Sequence, residues 1–391
     1  MASQNANRFT AKTAVIHRGR QFFGLIALLA AVIAPARAQT PVLGPFPSWP
    51  AGALEPAAVG PLSETVMARA RPDYDPLGVR MGGFIVHPSV SLSGTYDSNI
   101  FATPNNSATP VKSDFLVTEL PAITIGSDWN QDAIGFTASG AFKQFATHSS
   151  ENVNNFTAEA SGRYDISNGQ YLSADAIYQL LHEDRSNPNT ITTAKNPIEY
   201  HVMGGDLAYV RQTGRLGLRI DSNVTSYDFN NASTGAGVTI PQNFRDRNEY
   251  VVSPRLTYEI IPGYNAFVRV VGNERQYFSQ EPGLGPHGEN VRRNSHGWEV
   301  DAGTAIEITR ITTAEVYIGY LDQHYESPLL KSPKGLGYGG NLIWNVTPIT
   351  TVRGSFSQAV AETTLTNASS SLETSVQLTV EHELLRNVLL L

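Results

Sequence analysis

Glu299, Asp301, Glu307 and Glu315 are the residues of this chain whose types and spacing come nearest to chemistry. As a group they could ligate Ca²⁺ or serve as an acid and base pair. Their even separations, however, are those of one face of a β-strand, and carboxylates on one face more simply line a wet interior. Arg215, Arg219, Arg255, Arg269 and Arg275 stand in the same way a little earlier, with Asp221, Glu249 and Glu259 among them. Acyl transfer would need a nucleophile and a histidine at one rim. The nine histidines are instead dispersed, and His287, His296 and His324 lie in or beside loops. There is no cysteine, which removes thiolate nucleophiles, disulfides and Cys-ligated metals. The run Gly335-Leu336-Gly337-Tyr338-Gly339-Gly340 resembles a phosphate cradle only superficially, because no helix follows it. Small residues making room on a strand account for it better. The sequence therefore points to no catalytic, cofactor-binding or metal residue, and to a protein that is not an enzyme.

The elements that position these charges are strands. In residues 83–101, Val86, Val90, Leu92 and Tyr96 alternate with His87, Ser89, Ser91, Ser93 and Thr95, giving one apolar and one polar face. Leu216, Leu218, Ile220 and Val224 against Arg215, Arg219, Asp221 and Asn223 form the cleanest case. About fourteen such stretches follow one another, longer than the roughly five to six residues usual in soluble sheets. Connections alternate between long polar loops and turns of about three to five residues, as between the outer and periplasmic ends of a membrane barrel. In residues 114–126 Leu116, Leu120, Ile123 and Ile125 break the alternation near Pro121, which predicts a bulge. Trp129, Tyr171, Tyr264 and Trp344 beside the short turns fit an interfacial aromatic girdle.

The first 38 residues have the order of a secretory signal: Arg8, Lys12, Arg18 and Arg20, the apolar run 22–34, then Ala36-Arg37-Ala38. Residues 39–80 are rich in Pro and Ala and predict an extended periplasmic arm outside the barrel, with a short helix possible only around 62–71. Residues 81–391 make the barrel. The expected fold is thus all-β, an antiparallel transmembrane β-barrel of about fourteen visible strands, completed to sixteen or more in an intact relative. The segment 383–391 turns at 385–387 and starts a fifteenth strand that stops at Leu391, which reads as a C-terminal truncation. A net charge of -7 with scattered Lys and Arg excludes nucleic acid as the main partner.

Gly78, Arg80, Gly82 or Gly83, Phe84 and Pro88, followed by Tyr96-Asp97-Ser98-Asn99-Ile100-Phe101, resemble the opening of a family of outer-membrane β-barrel porins found in many proteobacteria. The resemblance implies a bacterial outer-membrane location and a passage for exopolysaccharide, with polysaccharide and periplasmic export components as partners beside outer-membrane lipid. A general small-solute porin and, less well, a barrel lipase or protease are the alternatives.

If the pleat is as assigned, the lipid face includes Leu216, Leu218, Ile220, Val252, Leu256, Val268, Val300 and Ile306. The lumen then receives an arginine-rich sector, Arg215 to Arg275, beside an acidic one, Glu299 to Glu315, with no cation in it. Such sectors would set a field across the pore. Alternatively the charges pair with one another and stiffen the wall.

Overall fold

The computed structural model describes residues 64–104, 107, 109–187, 189–285, 287–361, 363 and 368–391. The expected signal peptide, and the arm as far as residue 63, lie outside the described residues. The wall is one sixteen-stranded antiparallel sheet in which every strand pairs with its sequence neighbours. Its long strands, each of 12–15 residues, are β2 (Phe84–Asp97), β3 (Asp114–Ser127), β4 (Ala133–Phe145), β5 (Val153–Ser167), β6 (Gln170–His182), β7 (Glu199–Thr213), β8 (Leu216–Phe229), β11 (Arg247–Ile261), β12 (Tyr264–Tyr277), β13 (Ser295–Thr309), β14 (Thr312–Tyr325), β15 (Lys334–Thr347), β16 (Thr350–Ala361) and β17 (Ser371–Leu385). The edge strands β1 (Val79–Met81) and β18 (Val388–Leu390) have three residues each, and β9 (Ala232–Ser233) with β10 (Thr239–Ile240) forms a separate hairpin in the connection from β8 to β11.

Period-two alternation makes this wall two-sided. Val90, Leu92, Leu207, Leu216, Leu256, Val268, Ile318 and Leu378 leave half or more of their surface outside, so the outer surface is a continuous apolar band with no core to cover it. That arrangement is unstable in water and suits a wall that faces lipid. The sheet curls on itself, because distant parts of it touch. Arg275 in β12 donates to the carbonyl of Val360 in β16 (3.3 Å), and Thr363 beyond β16 donates to Asn189 beyond β6 (3.2 Å).

Several connections are tighter than the sequence suggests. Residues 82–83, 168–169, 214–215 and 262–263 are two-residue turns, and each contains a glycine with φ between +57° and +83°. Only glycine enters that region without strain, which is why the turns can be so short.

Four expectations are corrected. No bulge occurs at Pro121: β2 and β3 stay in register from Phe84↔Ser127 to Asp97↔Asp114, with Val90 opposite Pro121. Leu116 and Leu120 therefore face the lumen while Ile123 and Ile125 face out, and the β3–β4 ladder skips Leu120 and Pro121 and resumes in the same register. Tyr171 is not in the outer girdle; the Arg163 guanidinium lies over its ring at 3.9 Å on the lumen side. Arg215 sits in the β7–β8 turn, exposed, 3.5 Å from the Ile260 carbonyl, and does not line the lumen. Finally, parts of the expected arm touch the wall: Val79 and Arg80 pair with β2, and Val66 is fully buried, while Tyr74 and Leu77 between them are exposed. The helix suggested at 62–71 is a single turn, closed by Ala68 and Arg69 N–H groups on the Thr65 carbonyl.

Candidate functional site

Because β8, β11, β12 and β13 are in continuous register, Arg219, Arg255, Arg269 and Asp301 fall in one cross-strand row on the lumen face. Three adjacent guanidinium groups would repel one another, and each turns to a different carboxylate. Arg219 pairs with Asp221 on its own strand (2.8 Å). Arg255 makes a two-pronged contact with Glu315 of β14 (2.9 and 3.0 Å), and its guanidinium stacks on Phe267 at 3.7 Å. Arg269 reaches Asp301, directly opposite, at 2.7 and 2.9 Å, and lies 4.6 Å over Tyr317. Arg247, unremarked in the sequence reading, holds Glu249 at 2.7 Å and covers Tyr227 at 4.0 Å. The planar fork of arginine allows both contacts at once, which lysine could not supply.

These pairs correct the picture of two charged sectors. Arg255 and Arg269 extend into the acidic sector, and Asp301 and Glu315 are buried at 0% and 2% exposure. Arg219, Arg247, Arg255 and Arg269 are thus each paired with a carboxylate within the wall, which cross-braces it. Among the remaining candidates, Glu299 faces the same interior two residues from Asp301, Arg275 is buried at the end of β12, and Glu307 is half-buried near the periplasmic turn. The glycines opposite supply the space. A Cβ on Gly337 would stand 2.3 Å from Glu299 Oε1, one on Gly339 2.5 Å from the Tyr317 hydroxyl, and one on Gly319 2.1 Å from Asp301 Oδ1.

The other half of the lumen is different. β2 to β5 and β16 to β17 turn inward many hydroxyls and amides (Ser91, Ser93 and Thr95; Thr124 opposite Thr137; Ser139 opposite Thr157; Ser357 opposite Ser375; Gln377), with the charged Lys143, Arg163, Arg353 and Glu373 spaced among them. Gln179 of β6 donates to Thr157 (3.4 Å), and the Ser357 and Ser375 hydroxyls are 3.1 Å apart. Between the two halves, Glu159, Asp175 and Asp206 come together on β5, β6 and β7. Asp175 is directly opposite Asp206, which accepts a hydrogen bond from Asn223 at 2.8 Å. Strand parity could have placed these three, but their grouping depends on register.

At the end bearing the long connections, the loops fold onto one another. Arg185 pairs with Glu151 (2.7 Å), Arg245 with Glu183, and Arg293 with Glu281 (2.6 Å), each with both side chains at 10% exposure or less. Leu181, Ala194, Ile198, Val202, Tyr227 and Phe229 make an apolar cluster there, and Leu284, Val291, Tyr325 and Leu330 a second. Polar composition alone predicts no such clusters in these loops. The local signal for them is isolated apolar residues such as Ile191, Ile198, Ile240 and Leu284 inside otherwise polar stretches. Two loops are also bridged across the mouth, with Arg293 donating to the carbonyls of Ala368 (2.9 Å) and Ser369 (2.8 Å).

An antiparallel barrel with an apolar exterior, a polar two-sided lumen and loops gathered over one mouth is an outer-membrane β-barrel of the porin kind. Residues 71–391 match the family model described as "Putative beta-barrel porin 2", and the chain belongs to that family. Among solved structures it is similar to the NanC porin, at 13% identity over 65% of this chain and 100% of that one, with a TM-score of 0.33. It is also similar to the copper transporter OprC (10% identity, 77% and 55% of the two chains, TM-score 0.42) and to a bacterial polysaccharide outer membrane secretin (10% identity, 75% and 89%, TM-score 0.40). No curated protein matches the chain.

Proposed function

We propose that this porin is a passage for exopolysaccharide, and that the chain slides along the hydroxyl and amide half of the lumen. The observation that carries the reading is the composition of that half. Serine, threonine and glutamine exchange hydrogen bonds with a sugar as readily as with water, so a glycan is solvated along the wall without being held. The charged half contributes stiffness, because its arginines and carboxylates already satisfy one another. A general small-solute porin is the second reading, favoured by the small size of the same lining residues. An enzymatic role has no support in this arrangement. Residues 1–38 are proposed to direct export, and the arm from residue 39 to meet periplasmic export components.

Liposome swelling tests the reading. The protein in liposomes should admit neutral oligosaccharides of increasing length with only a gradual fall in rate. A sharp cut-off after mono- or disaccharides would give the small-solute porin instead.

A further inference from the structure

Residues 65–71 occupy the lumen face of the wall at its periplasmic end. The Val66 N–H donates to Thr351 Oγ1 (3.0 Å) and the Met67 N–H to Glu381 Oε2 (2.9 Å). Arg71 donates to Glu383 Oε2 (3.1 Å) and ties the segment's own turn through the Val66 carbonyl (2.6 Å), while Arg69 donates to the Pro348 carbonyl in the β15–β16 turn. Thr351, Glu381 and Glu383 have 0%, 0% and 5% exposure. They are on the inner face, since Val352, Val380 and Leu384 beside them point outward. Carboxylates this buried need donors. The other cations close to them, Arg353 and Arg386, stand off at 3.5 and 3.6 Å, so the short bonds come from the segment.

The same segment leads directly into β1, at the opposite edge of the sheet from β17 and β18. Among the described residues no ladder joins β1 to β18. We propose that residues 65–71 form an internal latch that fastens the β16–β17 side of the wall to the β1–β2 side from within, and narrows the periplasmic mouth by lying in it. The first part stands on the contacts alone, and the narrowing rests on the passage reading. A latch of this kind couples the arm to the lumen, so pulling on the arm would widen the mouth.

The absence of native cysteine allows a clean test in the full chain, assembled in outer membranes. Val66→Cys with Thr351→Cys should form a cross-link under oxidant, and this should raise by several degrees the temperature at which the folded band converts to the unfolded one on a gel. Arg71→Glu should lower that temperature and raise single-channel conductance, and Arg71→Glu with Glu383→Arg should restore both. Folded, heat-modifiable protein whose two cysteines stay free would overturn the latch, as would an Arg71→Glu variant that unfolds at the unaltered temperature. A cross-link that forms while Arg71→Glu leaves conductance unchanged would overturn the narrowing. Folded wild-type protein that conducts nothing would overturn the passage reading, with the latch still decided by the cross-link.

Discussion

Asp301 is entirely buried, and Arg269 Nε and Nη2 both bind its Oδ2 (2.9 and 2.7 Å). Arg269→Ala should therefore cost about 3–5 kcal/mol in urea unfolding from detergent micelles, since it leaves a buried charge alone, whereas Arg269→Met with Asp301→Leu should recover most of that loss. Equal losses in the single and double variants would show that the pair acts by packing. On the outer face the sign of the argument reverses. Leu256 is 55% exposed to lipid, midway along β11, so Leu256→Arg should cost about 2–4 kcal/mol of folding into bilayers, and Arg255 beside it faces the lumen at no such cost. A mild effect at Leu256 would invert the pleat. Asp175 and Asp206 face each other across a ladder rung, which both repels and attracts cations. Asp175→Asn with Asp206→Asn should reduce cation preference in reversal-potential recordings without impairing insertion; an unchanged reversal potential would remove these residues from the conducting path.

At the scale of elements, glycine decides where strands can approach. A Cβ on Gly319 would stand 2.4 Å from the Val300 carbonyl oxygen, and backbone cannot move aside as a side-chain tip can, while a Cβ on Gly335 meets nothing within 4 Å. Gly319→Ala should cost about 1–3 kcal/mol by overpacking, with Gly335→Ala close to neutral in the same unfolding assay. Similar values for the two would mean that β13 and β14 separate easily. The fourteen long strands and the two lengths of connection were legible in the sequence, because period two and turn residues are local signals. Pro121 misled, since its effect depends on whether its absent N–H faces a partner, and that is fixed by register. The loop clusters were hidden for a related reason: Ile198, Tyr227 and Leu181 come from separate stretches, and nothing local announces that they will meet.

For the whole molecule, alternation assigns Arg219, Arg255, Arg269, Arg275, Glu299, Asp301, Glu307 and Glu315 to the inner face as an expectation, and Arg215 leaves that set because β8 begins only at Leu216. Which charge pairs with which was not legible, because Arg255 passes over two strands to reach Glu315. Nor was the entry of residues 65–71 into the lumen, which a proline-rich composition disguised as a tether. The resulting barrel has one wall of paired arginines and carboxylates and one richer in hydroxyls and amides, and it is the second that the proposed glycan passage uses. Single-channel recording in planar bilayers with a neutral oligosaccharide on one side tests this most directly. Brief current blocks whose frequency rises with oligosaccharide concentration, and whose duration is unaffected by raising the salt, are predicted for a glycan solvated by the wall's hydroxyls and amides. An open channel showing no blocks, or blocks that shorten as salt rises, would contradict the account and assign the passage to the charges.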